Sequence, residues 1–189
     1  VFKSHLPRRW LPDRGRYVYV ARDGLDVAVS YYNLYRSHLG FRGDFEAFFE
    51  RFVRGEVQYR SWFKHVEGWR RFADDPRVLF VTYEGLRSDL RGHVEKIATF
   101  LGLRLEPADL DAVERMASFE FMKAHEPKFD PITETLIDQG LRPGRFIREG
   151  KSGSGRAAVT PRMRARFEAA RRSRWPRPDL EARLPDFLH

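Results

Sequence analysis

Residues 16–35, RYVYVARDGLDVAVSYYNLY, decide the fold because they indicate a buried strand, a tight turn and a helix in immediate succession. Residues 17–20 are β-branched and aromatic, which is typical of a strand. Residues 22–24, Arg-Asp-Gly, interrupt that run, and Asp23 or Asp26 can cap a helix that starts there. The apolar residues that follow recur at helical spacing: Leu25, Ala28, Val29, Tyr32 and Leu39.

A junction between a strand end and a helix start is a favoured place for an anionic ligand. In open α/β sheets ligands gather at such junctions, and unpaired N–H groups at the helix end attract negative charge. Arg22 in the turn and Ser30, about two turns into the helix, therefore predict a phosphate pocket. The alternative is a surface arginine and a small helical serine that bind no ligand.

The composition is that of a globular protein of one domain. The chain has 189 residues, of which 42% are hydrophobic and 33% are charged, and this length can bury a substantial core. The absence of cysteine excludes disulfides, thiolate metal sites and a cysteine nucleophile. No apolar run has the length of a transmembrane helix, and no signal-peptide pattern opens the chain. We therefore expect a cytoplasmic protein without a membrane span.

Residues 77–82, RVLFVT, form the second expected strand. Their continuous apolar run favours burial on both faces, as in a parallel sheet. The long helical connection from the first strand to this one is typical of α/β domains. We therefore predict one α/β domain over residues 1–189, with a parallel β-sheet flanked by helices. Tyr83, which follows the second strand, should lie at the same sheet edge as Arg22.

Apolar residues at helical spacing predict five further helices. These helices cover residues 45–53, 59–72, 86–101, 110–116 and 161–170. Residues 1–7 are expected to form a short strand that runs into a loop, and residues 117–123 a less regular segment. Residues 127–143 are expected to form a long loop, which in a compact domain is often a lid or a binding loop.

Lys3 and His5 would share one face of the first strand, because alternate side chains of a strand point the same way. A neighbouring positive charge disfavours the protonated imidazole. This keeps His5 available as a base near neutral pH. The alternative is a lysine and a histidine that face solvent on an edge strand and have no catalytic role.

The net charge of +8 is concentrated in the last quarter of the chain. Residues 141–189 contain 13 Lys and Arg against 5 Asp and Glu, so this segment carries the whole excess. Such a region attracts nucleic acid, membrane phosphates or a polyanionic small ligand. Within it, residues 144–156 are rich in Gly, Ser and basic side chains. They can bind phosphate through backbone N–H groups together with Arg148, Lys151 and Arg156, or they form a basic loop without a ligand.

Two familiar site types are excluded by their spacing. Gly150-Lys151-Ser152 does not complete a Walker A loop, because five residues separate Gly144 from Gly150 and the motif has four. The six histidines do not show metal-binding spacing. We therefore predict no metal site.

Six stretches, in order along nearly the whole chain, resemble sequence blocks of the cytosolic sulfotransferase family. They are KSHLP at 3–7, ARDGLDVAVSYYNLY at 21–35, YRSWFKHVEGW at 59–69, RVLFVTYEGL at 77–86, SFEFMK at 118–123 and FIREG at 146–150. Enzymes of this family move a sulfuryl group from 3′-phosphoadenosine 5′-phosphosulfate (PAPS) to a hydroxyl or amine. The resemblance implies a P-loop NTPase-like sulfotransferase fold, PAPS as co-substrate, a small alcohol, phenol or amine as acceptor, and no metal.

The resemblance also implies roles for individual residues. His5 would be the general base that takes the acceptor's proton, and Lys3 would line the acceptor side with it. Arg22 and Ser30 would hold the 3′-phosphate of PAPS. The remaining cofactor residues would be Tyr83, Ser118, Phe119 and Met122 around the adenine and its sugar, and Arg148, Glu149 and Gly150 closing on the 3′-phosphate.

The chain departs from the family pattern in several places. It does not contain the family's Pro-Lys-Ser-Gly-Thr-Thr-Trp-like loop, which grips the 5′-phosphosulfate. We therefore expect the C-terminal portion of a full domain, lacking the N-terminal strand and this loop, with little or no turnover by itself. Glu149 stands where the family usually has lysine, Ala117 where it has threonine, and residues 150–156 lose the family's tryptophan. Residues 156–165 do not match the family's dimer motif, so the sequence does not support a dimer formed by that motif.

Two other functions stay open from the sequence. One is a catalytically inactive relative that serves in an interaction. The other is a basic module that binds anions or nucleic acid through the C-terminal segment, with nucleic acid the less favoured partner. Loss of salt-dependent nucleic-acid binding on deletion of residues 156–189 would distinguish this module from the enzyme.

Overall fold

Two parallel strands, β1 (Tyr17–Ala21) and β2 (Val78–Thr82), form the sheet in the described part of the chain. The structure is a computed structural model and describes residues 1–128, 153 and 157–175. The strands pair in register over all five positions. Because they are parallel, both end at the same edge of the sheet. The prediction of a parallel sheet in an α/β domain is confirmed.

Helices flank the two strands, and three of them lie in the connection from β1 to β2. The helices are α1 (Gly24–His38), α2 (Phe45–Arg54), α3 (Trp62–Arg70), α4 (Tyr83–Ser88), α5 (Leu90–Leu101), α6 (Pro107–Ala117), α7 (Phe119–Ala124) and α8 (Pro161–Arg174). Most begin at a residue whose side chain accepts a hydrogen bond from the first turn, as N-cap residues do. These caps are Asp23, Asp44, Ser61, Thr82, Asp89, Ser118 and Thr160.

The larger hydrophobic core lies among α1, α2, α3 and α8. Its centre is the apolar face of α2, where Phe48, Phe49, Phe52 and Val53 are at most 1% exposed. The last helix closes this core with its own apolar residues, Met163, Phe167 and Ala170, as its spacing predicts. Its arginines lie on the remaining faces, so α8 is amphipathic despite its high charge.

A second apolar cluster joins the sheet to α3. The rings of Tyr19 and Trp69 stack with centroids 4.9 Å apart. Arg8 is buried at the margin of this cluster, with its guanidinium over the rings of Tyr17 and Phe72. Asp13 accepts a hydrogen bond from Arg8 at 3.0 Å, so the buried charge is paired.

Three local predictions are wrong. Residues 1–7 form no strand; instead the N–H of Leu6 bonds to the hydroxyl of Ser4, and a short 3₁₀ turn follows at Arg8–Trp10. Residues 86–101 do not form one helix, because Asp89 leaves the helical backbone and caps α5 at its start. Residues 117–123 are not irregular, because the Ser118 hydroxyl caps the short helix α7.

The bounds of one further predicted helix are refined, and most of the predicted long loop falls on residues that the structure does not describe. Helix α3 begins at Trp62, so Tyr59 and Phe72 flank it rather than belong to it. Of the expected long loop, residues 127 and 128 lie in a 3₁₀ turn at Glu126–Lys128, and residues 129–143 lie outside the described residues.

Replacing Gly24 with alanine should destabilise the fold. A Cβ at this position would lie 2.5 Å from Cζ of Phe167 and 2.9 Å from the ring of Trp62. Both rings belong to the larger core or pack against it, so they cannot move aside freely. We expect Gly24→Ala to lower the free energy of unfolding by about 1–3 kcal/mol in urea denaturation.

Gly68→Ala is the matched control for that substitution. Gly68 lies within α3, and a Cβ there would have no other atom within 4 Å. Alanine should therefore stabilise this helix by about 1 kcal/mol. Equal effects of the two substitutions would show that Gly24 is not closely packed in solution.

Candidate active site

The turn between β1 and α1 is organised by the carboxylate of Asp23. Its Oδ1 accepts hydrogen bonds from the N–H groups of Leu25 at 2.8 Å and Asp26 at 3.0 Å. Asp23 is therefore the N-cap, and the negative charge also suits the positive end of the helix dipole. These two N–H groups are therefore already occupied by the cap and are not free to bind an anion.

Arg22 and Tyr83 meet at the sheet edge where β1 and β2 end. The guanidinium carbon of Arg22 lies 4.2 Å from the centroid of the Tyr83 ring, within the range of a cation–π interaction. Among the described residues, the buried Nε of Arg22 has no hydrogen-bond partner. The aromatic ring thus holds the cation in place, and its Nε is an unpaired donor within the described part of the chain.

A second contact ties the two strand ends together. The N–H of Asp23 donates to Oε1 of Glu84 at 3.2 Å. Glu84 lies in the first turn of α4, whose cap Thr82 accepts from the N–H of Gly85 at 2.8 Å. The turn after β1 and the first turn of α4 after β2 are therefore each held by a helix cap, and the hydrogen bond from Asp23 to Glu84 joins them.

Ser30 lies on the exposed surface of α1. It follows the cap by seven residues, which is about 10 Å along a helix axis. Asp23, Val27 and Ser30 share one face of the helix, because residues three and four apart are neighbours. Its hydroxyl is thus on the side of α1 that begins at the Arg22 turn, as the predicted phosphate pocket requires.

Phe119, the first residue of α7, lies close to α4. The Phe119 ring has the guanidinium carbon of Arg87 at 5.3 Å and Nζ of Lys123 at 5.5 Å from its centroid. Arg87 lies in α4, one helical turn after Tyr83. Tyr83, in the first turn of α4, and Phe119, beside Arg87 one turn later, therefore both lie at this helix.

The other two predicted adenine residues belong to α7 as well. The hydroxyl of Ser118 accepts from the N–H of Phe121 at 3.2 Å and so serves as the helix cap. A hydroxyl that accepts one bond still has its own proton to donate. Met122 is half-buried one turn later.

His5 and Lys3 lie in the exposed segment without regular secondary structure that precedes the 3₁₀ turn. The ring of His5 packs against that of Tyr59, with centroids 4.9 Å apart. Loss of hydration, and secondly the positive charge of Lys3, hold the pKa of His5 below its usual value. Both causes favour the neutral imidazole, the form that can accept a proton.

His65 in α3 lies on the same side of the molecule as His5. Burial, and secondly the charge of His5, lower the pKa of His65 as well. The ring of Tyr19 lies next to His65, with centroids 5.8 Å apart.

The ring of Tyr59 is placed against His5 by an unusual turn. Tyr59 and Arg60 both have φ of 63°, in the left-handed region that non-glycine residues rarely adopt. Such strain is found preferentially at functional sites. Tyr31 of α1, next to Ser30 in sequence, has its pKa raised by burial and by the nearby hydroxyls of Tyr59 and Tyr35. The side chains beside His5 therefore reach the helix that carries Ser30.

Three predicted cofactor residues, Arg148, Glu149 and Gly150, lie outside the described residues. Within the described ranges, His, Asp and Glu nowhere form a group of three or more that could hold a metal ion. The helices that the structure describes are also too short or too polar to cross a membrane.

The sulfotransferase domain family matches residues 1–176 of the chain. The chain belongs to this family. Sulfotransferase 2B1 of Mus musculus is 34% identical over 180 residues, which cover 91% of this chain and 53% of the relative. Sulfotransferase 1E1 of Cavia porcellus is 33% identical over 176 residues, which cover 89% of this chain and 59% of the relative. The chain thus spans somewhat more than half the length of these sulfotransferases.

Solved sulfotransferase-family structures share the fold. Mouse sulfotransferase SULT7A1 complexed with PAP, the 3′,5′-bisphosphate of adenosine, superposes with a TM-score of 0.78 at 27% identity, covering 95% of this chain and 66% of that one. Retinol dehydratase in complex with androsterone and the inactive cofactor PAP gives a TM-score of 0.76 at 30% identity, covering 90% and 51%. The predicted sulfotransferase fold is confirmed.

Several side chains of the site were not predicted from the sequence. Glu84 belongs to the same sequence block as Tyr83, at 77–86, and Arg87 directly follows that block, so their position after a strand could have indicated them. Tyr59 was assigned to the core stripe of a helix, because aromatic spacing alone does not show where a helix begins. The contact between Asp26 and Gly153 joins residues 127 positions apart, and neither has a local sequence pattern that indicates the other.

Replacing Lys3 with glutamine should raise the pKa of His5. The positive charge of Lys3 is one of the two causes that lower this pKa, and removing it makes the imidazolium easier to form. The pKa can be followed by NMR titration of the His5 ring protons. Lys96→Gln, in the exposed part of α5, is the control and should leave the titration unchanged. An unchanged midpoint in Lys3→Gln would show that Lys3 does not act on His5.

Proposed function

We propose that the protein is a PAPS-dependent sulfotransferase, which moves a sulfuryl group to a hydroxyl or amine of a small acceptor. The observation that carries this proposal is the Arg22 guanidinium, fixed over Tyr83 at the strand ends with its buried Nε unpaired among the described residues. A 3′-phosphate would supply acceptor oxygens for the Arg22 guanidinium in charge-assisted hydrogen bonds. Family membership and the PAP in two structural neighbours support the same nucleotide.

In this proposal His5 is the general base of the transfer. The neutral imidazole takes the proton from the acceptor's hydroxyl or amine as that atom attacks sulfur. The new bond to sulfur forms while the bond from sulfur to the 5′-phosphate oxygen breaks, and PAP leaves. The lowered pKa of His5 supports the role, because the base must be unprotonated near neutral pH. The protein contributes mainly in-line positioning and charge stabilisation.

The nucleotide and the acceptor would occupy different sides of the β1–α1 junction. Arg22 and Ser30 would hold the 3′-phosphate, while Tyr83, Ser118, Phe119 and Met122 would surround adenine and its sugar. Arg148, Glu149 and Gly150 stay predicted contacts of the 3′-phosphate. Lys3 and the ring of Tyr59 would border the acceptor beside His5. The proposed acceptor is a small alcohol, phenol or amine. The cytoplasmic location stays a prediction, and so does the single domain over residues 1–189.

The alternative of a basic nucleic-acid-binding module gains no support from α8. Several of its arginines face carboxylates: Arg166 lies 3.4 Å from Glu50, Arg162 lies 3.9 Å from Glu46, and Arg171 lies 2.8 Å from Glu168. Pairs of this kind reduce the net field that would attract a polyanion. The enzyme remains the function that the site favours.

Replacing Arg22 with alanine should weaken PAP binding by about 10- to 100-fold, because a charge-assisted hydrogen bond of about 1.5–3 kcal/mol is lost. The stabilisation of the 189-residue chain by millimolar PAP can be followed by its melting temperature. Arg36→Ala is the matched control. Arg36 also lies over a tyrosine ring, that of Tyr32, but towards the C-terminal end of α1 and away from the Arg22 turn. A PAP-induced shift that survives in Arg22→Ala would contradict the assigned pocket.

Replacing His5 with alanine should slow transfer strongly and leave PAP binding intact. The comparison requires a chimera in which the family's N-terminal block precedes Val1, incubated with labelled PAPS and a panel of phenols, alcohols and amines. Loss of a general base lowers rates by about 10²- to 10⁴-fold. His93→Ala, in α5, should not reduce the rate. Transfer at an unchanged rate in His5→Ala would exclude His5 as the base, and no transfer by the chimera itself would favour an inactive relative.

A further inference from the structure

The turn at Tyr59 and Arg60 has a backbone conformation that its two side chains disfavour. Both residues have φ of 63°, in the left-handed region that glycine adopts readily. A non-glycine residue keeps such a conformation only where the surrounding structure imposes it. Two large side chains therefore stand at consecutive positions where glycine would fit the backbone better.

Neighbouring elements hold the turn in this conformation. The N–H of Gln58 donates to the hydroxyl of Tyr35 at 2.5 Å, and the N–H of Arg60 donates to the carbonyl of Val57 at 2.8 Å. Val57 is buried in the larger core, and the hydroxyl of Ser61 caps α3 directly after the turn. The turn is thus fixed at both ends and cannot relax without breaking these contacts.

The turn places Tyr59 and Arg60 beside His5. The ring of Tyr59 packs against that of His5, with centroids 4.9 Å apart, and yet 47% of Tyr59 stays exposed. Arg60, the next residue, is exposed as well. An aromatic surface and a guanidinium are therefore available to a ligand next to the proposed general base.

The side chains of the two segments that meet at His5 are mainly positive. Lys3 lies in the segment of His5, and its charge acts on the imidazole. Residues 55–66 add Arg60 and Lys64 against one carboxylate, that of Glu56. Three cations and one carboxylate leave an excess of positive charge, which attracts an anionic group and repels a cationic one.

These cations are not neutralised by neighbouring carboxylates. Within the described part of the chain, Lys3, Arg60 and Lys64 form no ion pair. By contrast, arginines at the ends of α2 and α3 lie close to carboxylates: Arg54 to Glu50 at 4.0 Å and Arg71 to Glu67 at 2.9 Å. The positive charge beside His5 is thus available to a bound molecule.

We propose that Arg60 is a specificity-determining residue, which selects acceptors that carry an anionic group such as a carboxylate and disfavours cationic amines. This inference rests on the proposed function, because it concerns the acceptor side of the same site. The hydroxyl that receives the sulfuryl group would lie at His5, and the body of the acceptor would lie against the ring of Tyr59. The anionic group would then meet the guanidinium of Arg60.

The charge preference can be tested by ligand binding to the chain itself. Three probes of similar size differ in charge near neutral pH: para-hydroxybenzoate is an anion, para-hydroxybenzamide is neutral and tyramine is a cation. NMR titration of the His5 ring protons gives a dissociation constant for each probe. We expect the benzoate to bind about fivefold more tightly than the benzamide, and tyramine to bind least. The difference should shrink at high salt, which screens exposed charges.

Substitutions at Arg60 separate its charge from its effect on the backbone. Arg60→Gln should reduce the preference for the benzoate to about twofold, whereas Arg60→Lys should keep it. Arg104→Gln is the control, because Arg104 is an exposed arginine beyond the end of α5, and it should leave the preference unchanged.

Arg60→Gly combines a loss of charge with a gain in stability. It should reduce the preference for the benzoate as Arg60→Gln does, yet raise the melting temperature by about 2–4 °C, because glycine relieves the strain. A preference that falls in a more stable protein cannot result from damage to the fold.

Each outcome separates the acceptor preference from the proposed function. Equal affinity for the benzoate and the benzamide, or no change of the His5 signals with any probe, would overturn the preference. An unchanged preference in Arg60→Gln would overturn the role of Arg60, and a melting temperature that does not rise in Arg60→Gly would overturn the strain. If the chain prefers the benzoate but the chimera with the family's N-terminal block transfers no sulfuryl group to any probe, the proposed function fails and the preference stands.

Discussion

The parallel pairing of β1 and β2 is the constraint on which the site depends. Parallel strands end at the same edge of a sheet, so the residues that follow them meet although they are far apart in sequence. Arg22 and Tyr83 are 61 positions apart and yet lie 4.2 Å from each other. An antiparallel pairing would send these two side chains to opposite edges. The helices α1 to α3 are the connection that makes the parallel arrangement possible.

The packing of α1 makes the sheet edge at the end of β1 rigid. Phe167 and Trp62 approach Gly24 so closely that a side chain there would overlap with them, and Asp23 is hydrogen-bonded to the first turn and to Glu84. The cap occupies the N–H groups of Leu25 and Asp26, so the proposed anion site would depend chiefly on side chains that the strands and helices hold in place. Such preorganised groups need little rearrangement when charge develops on a ligand.

The sequence predicted the elements whose pattern is local and sustained. The apolar runs of β1 and β2, the buried face of α2 and the amphipathic spacing of α8 each identify an element without knowledge of its neighbours. The pattern could not show the break at Asp89, because apolar spacing continues across it while the backbone does not. The expected strand at residues 1–7 is absent because a strand exists only by pairing, and pairing is not encoded in one segment.

The site shows the same limit. The sequence placed Arg22 and Tyr83 at one edge, because each follows a recognisable strand. It did not indicate that Asp26 binds the N–H of Gly153 or that Tyr59 packs against His5, since both contacts join segments with no common pattern. The resemblance to sulfotransferases predicted roles for individual side chains. The contacts that position those side chains could be identified only from the three-dimensional structure.

A crystal structure of the chain with PAP tests the central claim most directly. The account predicts that the 3′-phosphate oxygens lie within hydrogen-bond distance of the Arg22 guanidinium and the Ser30 hydroxyl, with the adenine ring between Tyr83 and Phe119. A phosphate bound instead among the arginines of α8, with no phosphate at the Arg22 guanidinium, would contradict it.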